Sequence, residues 1–226
     1  MKTIQNTIEV ISEQGILPLY FNTNENISIE VLRSLYRTGI RAVEYTNRGS
    51  QALSNFEKMV AVRNAEMPEM LLGIGTIKNL DQAKEFHKVG ADFFISPGFV
   101  PEVADFLKSK EILYCPGCMT PTEIIAVENA GIKFIKIFPG NILGPEFLSS
   151  IKDIFPSLYF MTTGGVESNY TNINNWFSAG ACAVGMGSQL ISKKRMHEGD
   201  FYLIENEVKK AIEIVKIIQN SPKTVV

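Results

Sequence analysis

Apolar residues recur along this chain in two alternating rhythms, short continuous runs and longer stretches with every third or fourth position apolar. Ile4, Ile8 and Ile11 have helical spacing, which predicts a helix over residues 3–14 closed by Gly15. An apolar strand follows at 16–21, then a polar loop at 22–26 and a helix to Thr38, which Gly39 ends. The same unit then repeats. Strands are predicted at 41–46, 70–74, 92–95, 112–115, 134–138, 158–162 and 181–184. Helices are predicted at 51–64, 81–88, 101–108, 121–129, 145–154, 169–179 and 201–219, and residues 221–226 read as a frayed tail.

Eight strands alternating with helices, one extra helix in front and no linker predict one domain over residues 1–226. The fold expected is a single (β/α)8 TIM barrel with an extra N-terminal helix. An open doubly wound sheet is the competing architecture, and the even spacing of the strands favours the barrel. Polar residues or glycines gather at the C-terminal end of every strand, the end at which barrel active sites lie.

Composition narrows the function. The chain is 45% hydrophobic and 20% charged, ordinary values for a globular protein with a full core. Net charge is −2, from 22 basic and 24 acidic residues, with no long run of either sign. Neither nucleic acid nor a membrane surface is an expected partner. No apolar run approaches the ~20 residues of a membrane span. The first fifteen residues carry acids and do not read as a signal or transit peptide. Three cysteines suggest a reducing compartment, so a cytoplasmic location is expected.

Candidate chemistry begins at Phe134-Ile135-Lys136-Ile137-Phe138-Pro139-Gly140, a strand with a lysine in its middle. Strand alternation puts Phe134, Lys136 and Phe138 on one face and Ile135 and Ile137 on the other. Burial disfavours the charged form of an amine, which suits a nucleophile. The alternative is a strand-end lysine whose stem packs while its head reaches water. Glu44 lies within a second apolar strand, also even-numbered, so both side chains can enter one lumen. Together they suit a Schiff-base enzyme, in which the amine attacks a ketone and the carboxylate moves a proton. As a purely structural pair they would form a buried salt bridge. Two glycine-rich loops, Thr163-Gly164-Gly165 and Gly185-Met186-Gly187-Ser188, follow the last two strands, where barrels often bind phosphate. Otherwise they are tight strand-to-helix turns.

These stretches carry a resemblance. Residues 39–48, Gly73-Ile74-Gly75-Thr76, Ile95-Ser96-Pro97-Gly98, residues 116–123, Lys136-Ile137-Phe138-Pro139-Gly140, Thr162-Thr163-Gly164-Gly165-Val166 and Val184-Gly185-Met186-Gly187-Ser188 resemble, in order, the motifs of the KDPG/KHG aldolases. That resemblance implies a trimeric class I aldolase on a (β/α)8 barrel. It would cleave 2-keto-3-deoxy-6-phosphogluconate to pyruvate and glyceraldehyde 3-phosphate, or 4-hydroxy-2-oxoglutarate to pyruvate and glyoxylate. It implies that Lys136 carries the Schiff base and Glu44 is the acid and base. Thr76, Pro97, Phe138 and Thr163 would line the pyruvyl end, Arg48 would contact an anion, and Gly164, Gly165, Gly187 and Ser188 would hold phosphate. The implied partners are a small 2-keto acid and two further copies of the chain.

Two positions depart from the motif. Phe21-Asn22 stands where many members carry an arginine, and Gly140-Asn141 where many carry Gly-Glu or Ala-Glu. Both concern the distal half of the substrate. Alternatives on the same barrel are a phosphosugar isomerase or epimerase with Glu44 as base, and a catalytically silent sugar-acid-binding protein. Cys115-Pro116-Gly117-Cys118 has the spacing of a redox pair but reads better as a strand-end turn. His87 and His197 lack ligand spacing, so no metal and no cofactor are expected.

Overall fold

The computed structural model describes residues 3–221. Its strands are β1 (Ile16–Tyr20), β2 (Ala42–Thr46), β3 (Leu71–Gly75), β4 (Phe93–Ile95), β5 (Leu113–Cys115), β6 (Gly117–Cys118), β7 (Phe134–Ile137), β8 (Tyr159–Thr163) and β9 (Ala183–Met186). Its helices are α1 (Ile4–Gln14), α2 (Glu25–Arg37), α3 (Ala52–Glu66), α4 (Leu80–Lys88), α5 (Pro101–Ser109), α6 (Pro121–Asn129), α7 (Gly140–Lys152), α8 (Tyr170–Ser178), α9 (Lys193–Glu198) and α10 (Phe201–Asn220).

All strand pairs are parallel, in the order β5-β4-β3-β2-β1-β9-β8-β7-β6. The two ends of that series are halves of one barrel strand interrupted at Pro116, which has no N–H to give the ladder. Ser96 N donates to Cys115 O at 3.1 Å and Gly117 N to Ser96 O at 2.9 Å. On the other side Lys136 N donates to Pro116 O at 2.9 Å, and Gly117 is in register with Lys136. The hydrogen bonding thus passes from β4 to β7 through residues 115–118, and the (β/α)8 barrel closes.

Inside, each barrel strand contributes at least one apolar side chain to a floor: Leu17, Ala42, Leu71, Phe93, Leu113, Phe134, Met161 and Ala183, with Ile95 and Cys115 as second residues from β4 and β5. Ile8 and Ile11 of α1 join the same cluster, so the N-terminal helix plugs the bottom of the barrel. Gln14 fastens it. Its Nε2 donates to Ile16 O (2.6 Å) and Ala42 O (2.9 Å), and its Oε1 accepts from Arg41 N (2.6 Å) and Ala42 N (3.0 Å). The outward strand residues, among them Tyr45, Ile74, Ile135, Ile137 and Val184, pack beneath the helices in a second, larger cluster.

Several boundaries differ from the sequence reading, for physical reasons. Gly75 and Gly185 fall just beyond the expected strands, but both belong to strands, where a neighbouring side chain fills the space a Cβ would take. The third strand therefore runs to Gly75 and the last from Ala183 to Met186. Helix α7 opens with a helical segment at Gly140 that the sequence reading did not include; the chain leaves helical geometry at Gly144 (φ 75, ψ 165), and the helix expected from Pro145 follows. The short helix α9, capped by Ser192, has too few residues for a visible period. Of the expected tail, residues 222–226 lie outside the described residues.

Candidate active site

Above the apolar floor the lumen turns polar. Lys136 follows Phe134 on the inward face of β7 and is 6% exposed; Glu44 follows Ala42 on β2 and is 1% exposed. The two are close enough for the lysine charge to act on the carboxyl. Among the described residues, however, neither belongs to an ion pair, and Glu44 Oε2 is buried without a hydrogen-bond partner. The structural salt bridge that sequence allowed is therefore not formed. Desolvation raises the Glu44 pKa above its ordinary 4.5, against the opposing pull of Lys136 and then Arg48.

Glycines make room for these groups. A Cβ on Gly75 would overlap Glu44 Oε1, and one on Gly185 would overlap Thr163 Oγ1. Gly73, in register with Glu44, accommodates the ring of Phe93. These notches were missed as site positions. Their signal is the i, i+2 spacing of Gly73 and Gly75, which puts both on one strand face. Cys115 was missed too, and it lies beside both ionisable groups.

The other expected residues gather at the same strand ends. Phe138 follows β7, with its ring centroid 4.9 Å from Lys136 Nζ. Thr163 ends β8, buried, and its Oγ1 has no hydrogen-bond partner. Thr76 follows β3 at φ 63, a conformation uncommon for a β-branched residue and associated with functional sites. Pro97 is half-buried after β4, its carbonyl against Gly117, while Arg48 is exposed after β2. Gly164 (φ 105) and Gly165 (φ 70) follow β8; Gly187 and the exposed Ser188 follow β9, the neighbouring strand.

The first strand ends without a cation. Phe21 lies against Gly49 and has its ring 5.6 Å from that of Tyr45. The Asn22 carbonyl accepts from Tyr45 Oη at 2.7 Å and Asn55 Nδ2 at 3.0 Å. Cys115 faces the lumen and Cys118 the outer core, so the two thiols belong to different clusters. Burial pushes Cys118 up to about 12 and Cys115 well above the ordinary thiol value, which leaves both inert as nucleophiles. Among the described residues no group of three or more His, Cys, Asp or Glu could hold a metal ion.

Sequence comparison decides the lineage of this lumen. The profile described as KDPG and KHG aldolase matches residues 7–207. The chain belongs to the KDPG and KHG aldolase family. It is 27% identical over 211 residues to a 2-dehydro-3-deoxy-phosphogluconate aldolase of Treponema pallidum, covering 93% of this chain and 98% of that one. It is 26% identical over 219 residues to the KHG/KDPG aldolase of Escherichia coli, covering 96% and 100%. A solved KDPG aldolase from Legionella pneumophila, with pyruvate captured at low pH as a covalent carbinolamine, superposes at a TM-score of 0.82. Its sequence is 25% identical, with 90% of this chain and 97% of that chain covered.

A buried carboxyl in this family member has a consequence for stability. Below pH 4.5 folded and unfolded chains both hold the Glu44 proton; above it the unfolded chain ionises freely and the folded lumen resists. The group therefore lowers stability progressively as pH rises from 4.5 toward its raised folded value. Glu44→Gln should gain on wild type across that window in urea denaturation. A gap between the two proteins that stays constant with pH would mean that the carboxyl is not desolvated.

Proposed function

We propose that this protein is a class I aldolase that cleaves a 2-keto-3-deoxy sugar acid to pyruvate and an aldehyde, with Lys136 as the Schiff-base residue. The observation that carries the reading is the buried Lys136 amine sharing the lumen with a buried, unpaired Glu44 carboxyl. Neutral Lys136 Nζ adds to the C2 carbonyl, and the carbinolamine loses water to give an iminium. Glu44, as carboxylate, takes the proton of the C4 hydroxyl, directly or through a water. The C3–C4 bond then breaks, its electrons pass into the iminium, and an aldehyde leaves an enamine behind. Glu44 returns the proton to C3, and water hydrolyses the iminium to release pyruvate. A carboxyl raised by burial suits both halves of this cycle, since efficient proton transfer wants a pKa near the working pH.

In the same reading Thr76, Pro97, Phe138 and Thr163 surround the pyruvyl group, and Arg48 supplies the anion contact. Gly164, Gly165, Gly187 and Ser188 hold the phosphate of 2-keto-3-deoxy-6-phosphogluconate. The adjacency of β8 and β9 supports that cradle, as does the bend of the glycine turn, which leaves backbone N–H groups approachable. We place the enzyme in the cytoplasm, in keeping with three free cysteines. We also read it as a homotrimer. Exposed Met119, Ile125 and Ile142, on and beside α6 and α7, supply apolar surface for such an interface. Sedimentation equilibrium should give three times the chain mass of 25.2 kDa.

Borohydride with pyruvate should leave one stable adduct, located by peptide mapping on Lys136. Lys136→Arg should fold and trap nothing. An adduct on Lys133, or none on wild type, would return the isomerase and silent-binding readings to the front. Phosphorylated 2-keto-3-deoxy acids should be cleaved with a modestly higher kcat/KM than 4-hydroxy-2-oxoglutarate. Inorganic sulfate should compete weakly with the phosphorylated substrate, and Ser188→Asp should lose that competition by like-charge repulsion. Preference for the unphosphorylated acid without sulfate competition would reduce the glycine loops to turns.

A further inference from the structure

Phe21 has no part in the chemistry above, yet it lies on the turn that carries Arg48. A Cβ on Gly49 would stand 2.7 Å from Phe21 Cζ and 3.2 Å from its Cε1, so the ring fills the space left by the missing side chain. The ring is itself held in place. It packs against Tyr45 with centroids 5.6 Å apart and planes at 52°, and Tyr45 Oη donates to the carbonyl of the next residue, Asn22, at 2.7 Å.

Arg48 has few other restraints. It is exposed, and among the described residues its guanidinium belongs to no ion pair. Its backbone is tied on the β2 side, where Asn47 N donates to Gly75 O and Arg48 N to Thr46 O, both at 2.9 Å. The far side of the turn, at Gly49, rests on Phe21. A long side chain without an ion pair keeps its direction only as well as the turn beneath it does. Arg48 is also near enough to the lumen for its charge to act on Glu44, so its direction matters at the lysine end of the barrel.

We propose that Phe21 is a positioning residue: its ring, seated over Gly49, holds the turn so that the Arg48 guanidinium meets the carboxylate of the 2-keto acid. This rests on the aldolase reading above and adds to it the group that aims the anion contact. A misaimed guanidinium weakens the hold on the acid but leaves Lys136 and Glu44 in place, since both belong to the strands below. The loss therefore falls on substrate affinity and spares the bond-forming step.

The test is borohydride trapping at graded pyruvate concentrations, which gives a half-saturating concentration and a limiting rate. Phe21→Ala should raise half-saturation about fivefold or more and change the limiting rate by less than about twofold. Phe21→Leu, which keeps apolar bulk over Gly49, should stay within about twofold of wild type. Gly49→Ala retains Phe21 but pushes its ring off the turn, so half-saturation should rise there too; it carries the test if Phe21→Ala does not fold. In an Arg48→Ala background, Phe21→Ala should add less than about twofold, because no guanidinium is left to aim. Unchanged half-saturation in the two single alanine variants, a loss confined to the limiting rate, or a full further loss on top of Arg48→Ala would each overturn the proposal. Any of these with normal trapping in wild type defeats the Phe21 assignment alone, whereas absent trapping in wild type defeats the aldolase reading and the Phe21 role with it.

Discussion

Withdrawing an amine and a carboxylate from water into one closed lumen is the constraint on which this structure depends. Neither Lys136 nor Glu44 relaxes into a salt bridge, and the apolar floor beneath them provides no solvation. An unpaired buried ionisable group is costly, so the surrounding barrel must hold it in place. Hence each barrel strand adds at least one apolar side chain to the floor, and α1 seals it from below. The resulting strain on ionisation is useful, since a carboxyl raised by its surroundings can both give and take a proton.

Volume is the second constraint. Closing the barrel forces the inward side chains into a fixed cross-section, and long ones fit only where a neighbour has none. Phe93 lies over Gly73, Glu44 over Gly75 and Thr163 over Gly185. These pairings aim the polar groups as well as accommodate them. A methyl at Gly75 would displace Glu44 Oε1, on the group proposed to move the proton.

Much of this was legible in the sequence. Lys136 and Glu44 stood out because a charge in a short apolar strand contradicts its surroundings. The alternation of strand and helix was strong enough to indicate a barrel. Gly75 and Gly185 were placed beyond their strands because glycine has the same appearance past a strand end and in a notch. Only the side chain across the strand distinguishes the two, and that neighbour is distant in sequence. The contact of Phe21 with Gly49 was hidden for the same reason. Pro116 was read as a turn after the fifth strand, whereas the strand resumes beyond it and uses the proline carbonyl to bond the lysine strand.

The helix that plugs the barrel also governs traffic. With Ile8 and Ile11 seated among the floor residues, the lumen is closed at the α1 end. Under the proposed role of Lys136, a substrate would enter carbonyl end first and keep its far end away from the floor. In the proposed reaction the outer fragment would leave first, while the inner one would wait beneath it, still bonded to the lysine. The architecture would then impose the order of departure, and a second aldehyde arriving early would meet an occupied site primed to run the reaction backwards.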